Sequence, residues 1–250
     1  MHLQSLTTLA KSASLEAGKV ILSIYNSFDL GVEYKKDDSP LTKADIAGHE
    51  VIVTYLKESG LPILSEEGAQ TPYDIRKNWD YYWLVDPLDG TKEFIKKNGE
   101  FTVNIALIHQ QKAVLGVVYA PVLGWLYWGN REDGAWKKEG ENPPIRIQGK
   151  RNAPVKTIVA SRSHLSEETK EFIDQYPDAE TVSMGSSLKF MLVAEDRAQI
   201  YPRFAPTMEW DTAASQAIVE AAGRQVLTYP ELEPMKYNRE DMLNGWFLVR

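Results

Sequence analysis

Asp86 and Asp89 stand three residues apart in the run Asp86-Pro87-Leu88-Asp89-Gly90-Thr91. Carboxylate oxygens on a tight Pro/Gly turn are the hard ligands that a Mg²⁺ ion takes. Thr91 adds a hydroxyl, and a metal with a hydroxyl beside it is a means of making a nucleophile from water. Glu66 and Asp211 are further acids at expected element ends, and Asp45 lies in the first turn of an expected helix. Element ends can bring side chains together without burying loops. Asp86 has two oxygens and could bridge two ions, and ions about 4 Å apart are a recurrent device for phosphoryl displacement. Each feature alone has a plainer explanation. Pro-Leu-Asp-Gly is an ordinary turn, Glu66-Glu67 reads as a solvated pair, and Asp211 suits the positive end of a helix dipole. Asp45 also reads as a helix N-terminal acid. Their combination is much harder to obtain by chance.

The elements that must position these residues are legible as patterns. Leu3, Leu6, Ala10, Ala13, Ala17, Val20 and Ile24 recur at helical spacing, which predicts a helix of about six turns. A second helix is expected over 43–58 with Thr42 as N-cap. Leu61–Leu64 reads as a short strand delivering Glu66, and 69–80 as a loop or short helix. The apolar run Tyr81–Val85 reads as a buried strand that stops at Asp86. Residues 101–109 and 113–119 form an expected hairpin, with Leu123–Gly129 and Gly134–Lys137 continuing the meander. The stretch 139–154 is rich in Gly, Pro, Asn and charge, so a boundary is expected there. It divides the chain into 1–145, with most of the candidate ligands, and 146–250, with Asp211. Strands at 157–160, 198–201 and 246–249 alternate with helices at 166–175, 186–195 and 210–222, which predicts an α/β layer.

Composition limits the function. With 43% hydrophobic and 25% charged residues, the 250-residue chain is an ordinary globular protein. It has no cysteine, which excludes disulfides, Cys-zinc sites and thiol nucleophiles and suits a reducing cytoplasm. His2, His49, His109 and His164 are not spaced as a zinc site. The net charge of −7 argues against a nucleic-acid polymer as partner. The N-terminus lacks the pattern of a signal peptide, and no run approaches the ~18 apolar residues of a membrane span. Peripheral membrane attachment and the oligomeric state stay open. Neither G-x-G-x-x-G after a strand nor G-x-x-x-x-G-K-[ST] is present, which weighs against dinucleotide and P-loop enzymes.

Glu66-Glu67, Asp86–Thr91 and Trp210–Ala214 together resemble the signatures of the inositol monophosphatase superfamily. Tyr34–Asp45, Gly185–Phe190, Ala194-Glu195 and Tyr201–Phe204 resemble its CysQ-type 3′(2′),5′-bisphosphate nucleotidase branch. The resemblance runs over the whole chain. Two positions depart from it, Asp196 and Ser215, where glycine is expected, and both bear only on loop shape. The resemblance implies a layered α/β/α/β/α sandwich and a Mg²⁺-dependent, lithium-sensitive phosphomonoesterase, with Mn²⁺ a possible substitute. It implies a first ion held by Glu66, Asp86 and the Leu88 carbonyl, a second by Asp86, Asp89 and Asp211, and a third, weaker ion near Glu66. Thr91 and Asp45 match the water-activating pair. Glu66, Asp89, Gly90, Thr91 and Asp211 would also face the transferred phosphate. Ser161, His164, Gly185 and Lys189 match nucleotide-binding residues, and Arg203 is a further candidate.

The leading expectation is removal of the 3′-phosphate from 3′-phosphoadenosine 5′-phosphate and its sulfated precursor, in the cytoplasm. Two alternatives remain at this stage. One is an inositol or sugar phosphatase with the same metal chemistry. The other is a non-catalytic, metal-gated nucleotide-binding protein.

Overall fold

Helix α1 (Leu3–Tyr25) buries Ala10, Ala13, Ala17 and Ile21 along one stripe, as the three-and-four spacing requires. The structure, a computed structural model, describes residues 2–35, 40–150, 153–161 and 165–250. A short antiparallel ribbon, β1 (Glu33–Tyr34) and β2 (Pro40–Leu41), leads to α2 (Lys43–Leu56). Thr42 caps α2 by accepting from the Ala44 N–H, and the Asp45 carboxylate accepts from the Thr42 N–H at 2.7 Å. Two orphan donors are thereby satisfied reciprocally. A 3₁₀ turn (Lys57–Ser59) then leads to β3 (Ile63–Ser65). Next come α3 (Tyr73–Arg76), β4 (Tyr81–Asp89), α4 (Thr91–Ile95), β5 (Thr102–His109), β6 (Lys112–Ala120), β7 (Trp125–Asn130), β8 (Gly134–Glu139) and β9 (Ile145–Ile147).

Strands β3 to β9 form one seven-stranded sheet in sequence order, parallel only between β3 and β4. Its period-two alternation sorts side chains onto two faces. Trp83, Val85, Ile105 and Leu107 pack with Ala10, Ile21 and Ile52 beneath α1 and α2. Tyr82, Leu84, Ala106 and Ile108 face the opposite way. They meet α6 (Leu188–Ala194) and α7 (Glu209–Ala221) through Leu192, Ala213, Ala217 and Ile218.

The second half adds β10 (Thr157–Ala160), α5 (Glu167–Ile173), β11 (Glu180–Ser183), β12 (Tyr201–Arg203), β13 (Thr207–Met208), β14 (Val226–Thr228), β15 (Leu243–Asn244) and β16 (Phe247–Val249). Strands β12, β16 and β14 form a small sheet, and an Ile158–Ile200 bridge joins the parallel pair β10–β11 to it. Tyr201, Phe247 and Val249 close the core over α6 and α7. Ile158, Ile200 and Leu248 pack on Phe172 of α5. The layers are therefore α1/α2, large sheet, α6/α7, small sheet and α5, the expected α/β/α/β/α sandwich.

Two glycines set the spacing of the central layers. A Cβ on Gly116 of β6 would lie 2.0 Å from the Ala214 carbonyl oxygen, and one on Gly129 would lie 3.0 Å from Ile218 Cα. α7 thus rests backbone to backbone on the sheet.

Some expectations need correction. The strand read as stopping at Asp86 runs on to Asp89, pairing Asp86 with Asn104 and Asp89 with Thr102 around a bulge. Pro87 lies in that bulge, where the ladder asks for no N–H. The strand expected at 198–201 begins only at Tyr201. β9 lies inside the stretch 139–154 and pairs with β8. Among the described residues, no helix is long and apolar enough to cross a membrane.

Candidate active site

Strand β4 carries Asp86 and Asp89 to the edge of a cleft of about 290 Å³. Parallel β3 ends at Ser65 beside it, and the Glu66 N–H donates to the Val85 carbonyl, which fixes Glu66 next to Asp86. Asp211 arrives from the other side in the first turn of α7, its carboxylate accepting from the Met208 N–H at 2.8 Å. One carboxylate oxygen from each of Glu66, Asp86 and Asp211 lies within 4.8 Å of the others. Three elements thus bring three acids to one point.

Burial, then neighbouring carboxylates, pushes the Asp86 and Asp211 carboxyls well above the usual range. Burial also raises Glu66, although Lys35 Nζ sits 2.8 Å from its Oε1. The Lys35 ammonium bridges Glu66 and Glu67; burial opposes its charge, but the two glutamates outweigh burial and raise its pKa. No spacing in the chain points to this lysine's contact. Three carboxylates at such distances, with Asp86 buried among them, ionise together readily only beside a cation, and their all-oxygen donor set fits a hard divalent ion.

Asp89 stands apart from the trio. It lines the same cleft, but its Oδ2 accepts from Ser186 Oγ at 2.5 Å and Ser187 Oγ at 2.9 Å. The Leu88 carbonyl lines the cleft's edge and accepts from Thr91 Oγ1 at 3.3 Å. Thr91 Oγ1 also lies 3.3 Å from Asp45 Oδ1. Asp45 is buried, and its Oδ2 is committed to the Thr42 N–H and hydroxyl. The N3 acid read as either cap or catalytic partner occupies both positions, one oxygen for each. Gly90 adopts φ +92°, and α4 begins directly after it.

Two cations line the same cleft. Lys189 is buried, and Nζ donates to the Ser186 carbonyl at 2.6 Å and the Met184 carbonyl at 3.2 Å. Burial, opposed by Asp89, pulls its pKa down to about 8. Arg203 also lines the cleft; Nη2 donates to the Pro206 carbonyl, while Nε is buried without a partner among the described residues. Ser161 and Gly185 line the cleft as well. Gly185 donates its N–H to Glu100 Oε2, and a Cβ there would lie 2.6 Å from the Glu100 carbonyl oxygen. His164 lies outside the described residues. Sequence reasoning missed Ser186, Ser187, Asn104 and Tyr201 as parts of the site, since short polar and aromatic residues carry no spacing signal.

An acidic triad on a layered sandwich, with a cationic pocket in the same cleft, defines a metal-site phosphatase class. The chain belongs to the Inositol monophosphatase family, whose model matches residues 2–244. It is 51% identical over 239 residues to the 3′(2′),5′-bisphosphate nucleotidase CysQ of Salmonella typhimurium, covering 93% of this chain and 94% of that one. The Escherichia coli (strain K12) protein of the same name is 49% identical over 238 residues, with the same coverage. The crystal structure of CysQ from Bacteroides thetaiotaomicron superposes with a TM-score of 0.90 at 46% identity, covering 100% of this chain and 98% of that one.

Proposed function

We propose that this chain hydrolyses the 3′-phosphate of 3′-phosphoadenosine 5′-phosphate, giving AMP and phosphate, and removes the same group from the sulfated precursor. One observation carries the reading: a single cleft is lined by the acidic cluster and by the cations Lys189 and Arg203. A bisphosphate needs cations for the phosphate that the acidic cluster's metals do not take. The names of relatives about half identical over nearly the whole chain support it.

In this reading Glu66, Asp86 and the Leu88 carbonyl hold one Mg²⁺, Asp86, Asp89 and Asp211 hold a second, and Glu66 serves a third, weaker one. Mn²⁺ suits the same oxygens. When bound, the ions acidify water and neutralise charge on phosphoryl oxygens. Asp45 orients the Thr91 hydroxyl and accepts its hydrogen, which turns a Thr91 lone pair toward the attacking water. Gly90 and Thr91 offer backbone N–H groups to the transferred phosphate. Ser161, His164 and Gly185 contact the nucleotide. Lys189 and Arg203 take the second phosphate. We assign residues 1–145 to the part carrying most metal ligands and 146–250 to the part carrying nucleotide contacts. We further place the enzyme in the cytoplasm, a compartment that a cysteine-free chain suits.

Lys189→Ala tests the reading. Turnover of the bisphosphate should fall at least tenfold while turnover of adenosine 3′-monophosphate stays within about twofold, one lost charge-assisted contact being worth 1.5–3 kcal/mol. Equal losses on both substrates, with an unchanged Tm, would contradict it.

A further inference from the structure

Asp89 is a proposed carboxylate ligand outside the acidic triad, and its Oδ2 is held by the hydroxyls of Ser186 and Ser187. Behind it lies a buried polar knot. Thr102 Oγ1 donates to Asn104 Oδ1 at 3.0 Å, which leaves the Asn104 amide N–H₂ directed at Ser187 Oγ, 2.9 Å away. Ser187 Oγ in turn lies 2.9 Å from Asp89 Oδ2 and 3.2 Å from the Asp211 carbonyl oxygen. Asn104 Nδ2 also reaches Asp89 Oδ2 at 3.5 Å. Thr102, Asn104 and Ser187 are each at most 1% exposed. Ser187 is the N-cap of α6, yet its hydroxyl caps nothing in that helix. A buried hydroxyl diverted from a helix cap is spent elsewhere, and here it faces the end of β4 and the first turn of α7 together.

We propose that Ser187 and Asn104 are positioning residues for the metal site: they fix Asp89 through Oδ2, so that Oδ1 is the oxygen left for an ion. The inference rests on Asp89 being a metal ligand, as assigned above. Partners behind a ligand commonly change metal affinity 10–100-fold when removed. They also tie the nucleotide-binding loop at 185–189 to the metal site, since the same hydroxyl row ends at Lys189 through the Ser186 carbonyl.

The test is Mn²⁺ binding, read as loss of the free-ion EPR signal, in the wild type, Ser187→Ala, Asp89→Asn and the double variant, with Tm as a check on folding. Ser187→Ala should weaken Mn²⁺ binding about tenfold or more. The double variant should match Asp89→Asn within about twofold, because the 2.9 Å contact with the Asp89 carboxylate, and not the longer one with the Asp211 backbone, is the route by which Ser187 acts. Multiplying losses in the double variant, or wild-type affinity in folded Ser187→Ala, would overturn the proposal. Wild-type affinity in Asp89→Asn would overturn the ligand assignment itself, and the proposal with it. Should Ser187→Ala fail to fold, Asn104→Ala carries the same cycle with the same expected non-additivity.

Discussion

Three carboxylates with oxygens within 4.8 Å of one another are a liability to the metal-free protein, and that liability is measurable. Asp86 and Asp211 have raised pKa values in the fold, so the folded chain binds more protons than the unfolded chain. Stability from this source is present below the unfolded carboxylate pKa of about 4 and is lost as pH rises through the raised folded values. Asp86→Asn should therefore raise the Tm of metal-free protein at pH 7–8 by several degrees, a gain of about 0.5–2 kcal/mol, and abolish the added stability that Mg²⁺ gives the wild type. The Tm difference between variant and wild type should shrink as pH falls toward 4. A variant less stable than wild type without metal would contradict the electrostatic account. Thr91→Ala addresses the chemistry instead. It should lower kcat about 10²–10⁴-fold and change KM far less, because the proposed role of its hydroxyl is on the attacking water and not on the bound substrate. The acids and Thr91 were legible in the sequence because turns and element ends are written in Pro, Gly and Asp. The Lys35 bridge was not, since a lysine in a polar stretch has no spacing that points to a partner 31 residues on. Asp196, read as a departure from glycine, takes φ +63°, a conformation that Asp tolerates better than most residues. Its carboxylate pairs with the buried Arg224, so the substitution brings its own contact.

Asp211 reaches Asp86 only because α7 lies flat on the large sheet, and Gly116 is what permits this. Gly116→Val would drive a side chain into the Ala214 carbonyl and push α7 outward. The expected cost is about 1–3 kcal/mol or more of stability, with weaker Mn²⁺ binding as Asp211 retreats with its helix. Gly245→Ala, which meets nothing within 4 Å, is the control and should stay within about 0.5 kcal/mol. A Gly116→Val protein that unfolds earlier but binds Mn²⁺ as tightly would separate the helix position from the site. Helices α1 and α2 and the hairpin β5–β6 were legible because strong periodicity and the Thr42 cap agree with the packing. The continuation of β4 past Asp86 was not. Proline within an apolar run signals an end, and only the tertiary pairing with β5 reveals that Pro87 sits in a bulge. That bulge is also what turns Asp86 and Asp89 toward the cleft.

Across the whole molecule, several layers of the sandwich supply the acids and the cations of one cleft. The β3–β4 edge and α7 present the acids, while α6 and β12 present Lys189 and Arg203. The alternation of strands and helices foretold the layers, but no local pattern told which ends would meet, because that depends on long-range packing. The division at 139–154 followed composition, yet β9 extends the large sheet into that stretch. The central claim is that these acids and cations together select a bisphosphorylated nucleotide. The most direct measurement is phosphate release from 3′-phosphoadenosine 5′-phosphate and from inositol 1-phosphate, side by side, with Mg²⁺, with EDTA and with added Li⁺. The account predicts Mg²⁺-dependent, Li⁺-inhibited release with kcat/KM at least about 100-fold higher for the nucleotide, as expected where a buried cationic site must be filled. Equal or greater release from inositol 1-phosphate would leave the metal chemistry standing and contradict the role given to Lys189 and Arg203.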